Sequence, residues 1–389
     1  MSPIFRVVLV STFVLTGASA SLGEPAANFT PEERAAILAH GPWPQEMPAD
    51  PSNRHSGHPT AIAFGRRLFF DTRLSADGQQ SCASCHDPSK AFADGKARSV
   101  GHAMLDRNAI ALANLRLNRW FGWGGAADSL WAQSIGPILE QKELGLSADQ
   151  LRTRIAKDEG LAEAYREVLH RDVMGEEPEH VLVAVAKVLA AYQETILTAR
   201  TPFDEFRDAL ERGDDAAMAR YPAAAQRGLR IFIGKGNCNA CHFGPNFTHG
   251  EFEDAGVPHF AEKGRVDRGR YGGIEDLLTS PFNLLGRYND DPGRDRAVVP
   301  TRHVEALHRN WGEFRVPSLR NVARTAPYMH DGSLATLTDV VRHYSQLNEE
   351  RLHGHPGMRL LRALHLSPQE STDLVAFLES LTSEISSAP

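Results

Sequence analysis

Two five-residue stretches determine the fold of this chain, Cys82-Ala83-Ser84-Cys85-His86 and Cys238-Asn239-Ala240-Cys241-His242. Both have the form Cys-x-x-Cys-His, and together they use all 4 cysteines of the 389 residues. In a motif of this form, the two cysteines attach a haem covalently and the histidine binds its iron. The repeated motif therefore predicts two covalently bound haem c groups, with His86 and His242 as iron ligands.

Two other uses of four cysteines stay open at this point. Two disulfides would suit a chain outside the cytoplasm, and two Cys-x-x-Cys pairs could hold a zinc ion. Neither use explains why a histidine directly follows each cysteine pair. The haem interpretation accounts for every residue of both motifs, and we favour it.

Composition narrows the class of protein. The length is sufficient for two ordinary domains. The formal net charge is −7, with 23% charged residues, so there is no basic surplus to attract nucleic acid. Haem carboxylates would make the loaded protein more acidic still.

The first twenty residues predict a signal peptide. Arg6 supplies a positive start, residues 7–15 are almost wholly apolar, and residues 18–20 (Ala-Ser-Ala) fit a cleavage site. The apolar run is too short to span a bilayer comfortably, and no other stretch resembles a membrane-spanning helix. We therefore expect a mature protein without a membrane span in the bacterial periplasm.

Helix signals dominate the rest of the chain. Capping-box patterns begin at Thr30, Ser147 and Ser367. Apolar residues recur at helical spacing between residues 179 and 199, which predicts a long amphipathic helix. Strand alternation is scarce, and residues 244–300 are rich in Gly, Pro, Asp and Asn. The sequence predicts a mainly α fold with long loops that wrap the cofactors.

A weak internal repeat predicts two domains. Residues 65–70 (Gly-Arg-Arg-Leu-Phe-Phe) precede the first motif, and residues 228–233 (Gly-Leu-Arg-Ile-Phe-Ile) precede the second. Each repeat is expected to end a helix that leads into a haem-binding loop. Proline and glycine interrupt the helical pattern between residues 201 and 221. We predict two cytochrome-c-like haem domains, residues 21–205 and residues 206–389.

Several further segments occur in a fixed order along the chain. They are Leu68-Phe69-Phe70-Asp71, Arg107-Asn108-Ala109, Phe121-Gly122-Trp123-Gly124, Gly244-Pro245-Asn246-Phe247-Thr248, Val316-Pro317-Ser318-Leu319-Arg320-Asn321-Val322 and Tyr328-Met329-His330-Asp331-Gly332. In these segments the chain resembles the bacterial dihaem cytochrome c peroxidases and their relative MauG, over residues 63–381. One segment departs from the pattern, since residues 121–124 stand where the family usually has a Trp-Asp-Gly turn. The resemblance implies a peroxidase-type oxidoreductase whose substrate is hydrogen peroxide.

The resemblance also implies roles around an open first haem. Glu143 takes the place of the distal acid–base group, Gln133 and Pro137 shape the pocket, and Trp123 bridges the two haems. A carboxylate there can accept the proton of incoming peroxide and return it to the leaving oxygen. By the residues alone, Glu143 could equally be a surface acid and Trp123 a packing residue.

One position separates the branches of this family. Peroxidases that take electrons from small cytochromes usually ligate the second haem with a methionine fourteen residues after the histidine of the His-Asp-Gly motif. The same count from His330 reaches Tyr344, and MauG-type enzymes place a tyrosine ligand there. Phenolate stabilises ferric and higher-valent iron, whereas a thioether favours ferrous iron. Met329 and Met358 are the alternative ligands.

Residues 118–133 most resemble the MbnH subgroup of the MauG-like branch. That subgroup is associated with a partner protein, MbnP, in which it oxidises a tryptophan to kynurenine. The resemblance implies a periplasmic oxidase that forms a bis-Fe(IV) state with hydrogen peroxide and modifies a secreted, MbnP-like partner. The alternative is a dihaem cytochrome c peroxidase that receives electrons from a small cytochrome or copper protein. A plain electron-transfer cytochrome is the third reading, and it has no use for Glu143.

Two further predictions come from matching family positions. Asn108, Thr325 and Pro327 stand where the family holds a calcium ion between the haems, and amide and carbonyl oxygens suit that cation. His102 lies sixteen residues after His86, where peroxidases can carry a resting-state ligand of the first haem. The adjacent glycine and a shortened loop favour an exposed loop histidine instead.

Overall fold

The computed structural model describes residues 28–258, 260–262, 264–291, 293, 298–352 and 360–387. Within these ranges lie fourteen α-helices: α1 (Pro31–Leu38), α2 (Pro59–Phe69), α3 (Cys82–Cys85), α4 (Leu130–Leu139), α5 (Ala148–Lys157), α6 (Glu159–Leu169), α7 (Pro178–Gln193), α8 (Pro202–Arg212), α9 (Asp215–Met218), α10 (Ala223–Ile233), α11 (Gly269–Thr279), α12 (Val299–His303), α13 (Leu337–Ser345) and α14 (Pro368–Glu379). The predicted signal peptide, residues 1–20, lies outside the described residues. None of the described helices has the length and apolar content needed to cross a membrane.

Short strands form three two-stranded antiparallel ladders. The described strands are β1 (Leu197–Thr198), β2 (Phe252–Glu253), β3 (Phe260–Glu262), β4 (Arg265–Val266), β5 (Phe314–Arg315) and β6 (Ile385–Ser386). β1 pairs with β6, β2 with β5 and β3 with β4, and Phe252 lies opposite Arg315 in the second ladder. Single turns of 3-10 helix connect the elements: Thr72–Leu74, Pro88–Lys90, Leu115–Leu117, Val173–Gly175, Cys238–Ala240, His308–Asn310, Val322–Arg324 and Glu349–Arg351. The predicted mainly α fold is confirmed.

The three predicted capping boxes are present. At the start of α1, the Thr30 hydroxyl accepts a hydrogen bond from Glu33 N–H at 3.2 Å, and the Glu33 carboxylate accepts one from Thr30 N–H at 2.9 Å. The same reciprocal pair forms at Ser147 and at Ser367. Local side-chain hydrogen bonds therefore define where these helices begin.

The helix predicted over residues 179–199 is shorter and more deeply buried than expected. α7 ends at Gln193, and 12 of its 16 residues are buried, so it is a central helix rather than an amphipathic surface helix. Both the backbone N–H and the hydroxyl of Thr195 donate to the Tyr192 carbonyl, which closes the last turn. The residues beyond it enter β1, where pairing with β6 replaces helical hydrogen bonds.

The sequence predicted that residues 244–300 form loops. The structure shows that they also contain the helix α11. The helix begins at Gly269, whose φ of 53° is a left-handed conformation that suits glycine. The Asp267 carboxylate accepts a hydrogen bond from Gly269 N–H at 2.9 Å. A side chain at Gly273 would overlap the backbone of Gly124. Its glycines thus let α11 contact the segment around Trp123 at backbone distance.

Two hydrophobic cores organise the chain. The first core is built mainly from α2 and α4–α7, and the second from α8, α10, α13 and α14. The predicted domain boundary at residue 205 falls inside α8, although Phe203 and Phe206 both belong to the second core. Ile37 of α1 also packs in the second core, whereas Leu284 and Val298 pack in the first. This packing favours a boundary just before α8, with segments exchanged between the halves.

The internal repeat marks two equivalent helix crossings. Gly65 of α2 lies so close to α7 that an added Cβ would overlap the carbonyl oxygen of Val188. Gly228 of α10 has the same relation to the carbonyl oxygen of Asp373 in α14. In each half, glycine lets the helix before the haem motif press against a second helix.

Gly228→Ala is expected to destabilise the protein by about 1–3 kcal/mol, because the new methyl group has no room beside Asp373. Chemical denaturation of the holoprotein would measure the loss. Gly136→Ala in α4 is the matched control, since a Cβ there meets nothing within 4 Å. Equal stability of the two variants would contradict the proposed crossing.

Candidate functional site

Each Cys-x-x-Cys-His motif opens on its own cavity. The first cavity, of about 670 Å³, is lined by Cys82, Cys85 and His86 together with α4 and the start of α11. The second cavity, of about 540 Å³, is lined by the corresponding residues of the second motif, together with α13 and the segment around residues 312–330. Both volumes lie in the range of cofactor pockets.

The cysteines have the state that haem attachment requires. All four are free thiols, so each is available to form a thioether bond. The two pairs line different cavities, so the fold does not bring four sulfurs to one zinc ion. Within each pair the thiols remain unbridged, so neither alternative use of the cysteines is realised.

The two histidines are oriented by the same contact. His86 Nδ1 lies 3.2 Å from the carbonyl oxygen of Phe92, and His242 Nδ1 lies 3.0 Å from that of Phe247. A carbonyl can only accept, so Nδ1 carries the proton and Nε2 keeps the lone pair that iron needs. Burial lowers the pKa of His86 and lowers that of His242 to about 4, which favours the neutral ring. The chain therefore fits two c-type haems.

The two carbonyl groups that accept these hydrogen bonds were not identified from the sequence. Phe92 has φ 59° and Phe247 has φ 51°, left-handed values that are uncommon for a bulky side chain. Both side chains are buried, with exposures of 3% and 0%. The available signal was their repeated position, six and five residues after the motif histidine.

The first cavity gathers the residues predicted for the peroxide reaction. Gln133 and Pro137 lie four residues apart on α4 and line the cavity. The turn that follows α4 brings Glu143 into the same lining. Glu143 N–H donates to the Glu140 carbonyl at 2.9 Å, which fixes this turn. Glu143 is thus a cavity residue, and the alternative of a surface acid does not describe its position.

Burial tunes Glu143 for proton transfer. Desolvation, with a smaller contribution from repulsion by Glu140, raises the pKa of Glu143 to about 7. A group of that pKa can both accept and release a proton near neutrality, as a general acid–base group must. None of the hydrogen bonds among the described residues uses its carboxylate as an acceptor, which leaves it available to a ligand.

Tyr344 lines the second cavity, whose lining residues differ in kind from those of the first cavity. It belongs to α13, which begins with a capping box between Thr336 and Asp339. Burial raises the pKa of Tyr344, so its phenolate would need a nearby cation such as a haem iron. Met329 lines this cavity as well. Met358, the other alternative ligand, lies outside the described residues.

Trp123 lies in the wall shared by both cavities. Its indole N–H donates to the Asn108 carbonyl at 2.9 Å, and its own carbonyl accepts from Arg315 N–H at 2.8 Å. These two contacts with backbone groups hold Trp123 in the wall between the two cavities.

The three predicted calcium ligands line one wall of the second cavity, Asn108, Thr325 and Pro327. Asn108 N–H donates to the His330 carbonyl at 2.8 Å, and its amide NH₂ donates to the Lys96 carbonyl at 2.7 Å. This orientation leaves the Asn108 side-chain oxygen without a hydrogen-bond donor among the described residues. The arrangement is compatible with a hard cation, and the calcium site itself stays a prediction.

His102 is held by two protein contacts. Its Nδ1 lies 3.3 Å from the Gln141 carbonyl oxygen, and its Nε2 lies 3.1 Å from Asp77 Oδ1. His102 is not among the described residues that line the first cavity. In this conformation both ring nitrogens contact protein oxygens, and His102 is an exposed loop residue.

A buried ion pair fixes the loop after the second motif. Arg320 and Asp204 are 0% and 2% exposed at their side chains and form two hydrogen bonds of 2.9 Å. Arg320 Nε–H also donates to the Pro245 carbonyl at 2.7 Å, and its guanidinium lies 3.7 Å from the ring centroid of Trp43. Nothing in the sequence linked Asp204 to the second haem motif, because 116 residues separate it from Arg320.

Comparison with known proteins agrees with this geometry. Residues 59–212 match the family described as Di-haem cytochrome c peroxidase. The chain is 33% identical to the methylamine utilization protein MauG of Methylorubrum extorquens, over 92% of this chain and 88% of that protein. It is 31% identical to the cytochrome-c peroxidase IdrP2 of Denitromonas iodatirespirans, over 90% of this chain and 89% of that protein.

Among solved structures, the fold is similar to that of a MauG-like protein associated with microbial copper homeostasis. The TM-score is 0.62 at 25% identity, over 88% of this chain and 96% of that chain. Identity to MauG and to IdrP2 is nearly equal, so overall similarity does not separate the two branches. At the level that both share, the chain belongs to the di-haem cytochrome c peroxidase/MauG family of peroxidase-type enzymes.

Proposed function

We propose that this enzyme is a periplasmic, MauG-type oxidase most like the MbnH subgroup. It uses hydrogen peroxide to oxidise a side chain, a tryptophan that becomes kynurenine, in a secreted, MbnP-like partner protein. The observation that carries the proposal is that Tyr344, which the resemblance to MauG-type enzymes makes the expected iron ligand, lines the second cavity. Similarity to the MauG-like protein associated with copper homeostasis supports the subgroup.

The first cavity supplies the proton transfers. When bound there, haem provides the iron at which peroxide is reduced to water. Glu143 would accept a proton from one oxygen of the peroxide and give it to the other oxygen, which leaves as water. Gln133 and Pro137 border the same space and restrict where a small substrate can lie. Trp123 stands in the wall toward the second cavity, where an indole can carry an electron between the two sites.

The overall reaction balances with peroxide as the only oxidant. Two molecules of peroxide convert one tryptophan to N-formylkynurenine and release two molecules of water. The indole ring loses four electrons and gains two oxygen atoms. Hydrolysis of the formyl group then gives kynurenine and formate. Because electrons can leave through Trp123, the partner side chain need not enter either cavity.

Calcium and location complete the proposal. Asn108, Thr325 and Pro327 would hold a Ca²⁺ ion between the haems, where a divalent charge can fix the wall of the second cavity. The signal peptide predicted at residues 1–20 would deliver the chain to the periplasm.

A cytochrome c peroxidase is the second candidate function. Met329 also lines the second cavity, and the IdrP2 relative carries that activity in its name. In this alternative a thioether would bind the second iron, and a small cytochrome or copper protein would supply electrons.

Adding peroxide to the diferric holoprotein distinguishes the two functions. We expect a long-lived near-infrared absorption band, because an anionic ligand lets two oxidising equivalents be shared by the haems. We also expect slow turnover of reduced cytochrome c. Absence of the band together with rapid oxidation of cytochrome c would favour the peroxidase and contradict the proposal.

Replacing Tyr344 tests its role as a ligand. Tyr344→Phe is expected to abolish the near-infrared band and to raise the potential of the second haem, since phenolate stabilises ferric iron. Tyr328→Phe is the matched control, because Tyr328 lines the same cavity but its hydroxyl donates to the Val322 carbonyl at 3.0 Å. If both variants keep the band, Tyr344 is not the ligand.

The pH profile tests Glu143. As a base it must be deprotonated, so kcat/KM for peroxide should rise with pH and level off above its pKa of about 7. Glu143→Gln should lose about 10²- to 10⁴-fold in rate and lose this pH limb. Glu140→Gln, at the exposed neighbour, should keep the rate and move the limb to lower pH, because repulsion is removed. An unchanged limb in Glu143→Gln would assign the titration to another group.

A further inference from the structure

Arg315 is a buried cation in the wall between the two haem cavities. It lies in β5 opposite Phe252 of β2, and its backbone N–H donates to the Trp123 carbonyl at 2.8 Å. Only 4% of the residue is exposed. It lines the first cavity and the second, and of the six described residues that line both it is the charged one.

The guanidinium of Arg315 has donors without protein acceptors. Among the described residues its side chain makes one hydrogen bond, from Nε–H to the Gly122 carbonyl at 3.3 Å. Neither Nη group has a hydrogen-bond partner in the part of the chain that the structure describes, although a guanidinium carries five N–H donors in a fixed fork. Burial alone lowers the pKa of Arg315 to about 10, and no acidic group offsets it. The group therefore stays charged at neutral pH.

Five other cations that line these cavities are paired with carboxylates. Those pairs are Arg107 with Asp267, Arg265 with Asp106, Arg268 with Glu275, Lys235 with Glu370 and Arg320 with Asp204. Arg315 combines deep burial with the lack of such a partner among the described residues. A buried, unpaired charge is costly, so the fold is expected to offer it an anion from a bound group.

The anions that enter these cavities with the cofactors are the carboxylate side arms of the haems. We propose that Arg315 is a shared counter-ion, which donates hydrogen bonds to one carboxylate of each haem across the common wall. The planar fork suits two carboxylates, since its two Nη groups carry four N–H donors that can be divided between them while Nε–H stays bound to the Gly122 carbonyl. The strand pairing and the contact with Trp123 hold the backbone of this residue in place.

A shared counter-ion affects both haems in the same direction. A positive charge near an iron favours the reduced state, because reduction lowers the charge of that centre by one. Loss of the Arg315 charge should therefore move both potentials to more negative values. This inference requires two haems and does not depend on Tyr344 or on the identity of the substrate.

Redox titration of holoprotein variants tests the proposal. In Arg315→Gln we expect both midpoint potentials to fall, with two haems still attached per chain. In Arg315→Lys, which keeps the charge, both potentials should stay close to those of the unaltered protein. Arg268→Gln is the matched control, because Arg268 lines the first cavity but is 45% exposed and paired with Glu275, so solvent screens its loss.

The outcomes separate the parts of the proposal. Unchanged potentials in Arg315→Gln would overturn it, and a fall at one haem alone would overturn the sharing. Should Arg315→Gln fail to attach haem, infrared difference spectra of Arg315→Lys with ¹³C-labelled haem carboxylates supply a second measurement. Altered carboxylate bands from both haems would support the shared contact, and bands identical to those of the unaltered protein would refute it.

Discussion

The hydrogen bond from each motif histidine to a phenylalanine carbonyl is the constraint on which both sites depend. It fixes the tautomer, so that Nε2 of His86 and of His242 can bind iron. The carbonyl faces the ring because Phe92 and Phe247 adopt left-handed backbone conformations. Each phenyl ring lies in the core of its own half, so the iron ligand is tied directly to the hydrophobic core.

The same local design supports two cavities of unlike chemistry. The first is bordered by a helix and turn that place Glu143 and Gln133 around it, which suits proton transfer to a small polar substrate. The second is bordered by α13, which places Tyr344 among apolar side chains and suits a closed site. Trp123 and Arg315 lie in the wall between the two cavities. The indole of Trp123 can transfer electrons, and the guanidinium of Arg315 supplies a positive charge. The two sites thus differ through the residues that line their cavities and not through the Cys-x-x-Cys-His motifs, which are alike.

Local patterns in the sequence were sufficient for the haem motifs, for the helix starts at Thr30, Ser147 and Ser367, and for the mainly α fold. Tertiary effects were not accessible in this way. α11 was missed because its glycines look like loop residues, and they are tolerated for the close approach to Gly124. The role of Phe92 depends on its backbone conformation, and that of Arg315 on the absence of a carboxylate among distant residues. Neither property has a local signature.

The exchange of segments between the two cores has a consequence for how the protein matures. A chain made from its amino end exposes Ile37 before any of its partners in residues 203–381 exist. The first core likewise lacks Leu284 and Val298 until three quarters of the chain has been synthesised. Until those residues join it, the first core beside Cys82 is incomplete, which leaves this half-buried thiol more accessible than it is in the finished fold.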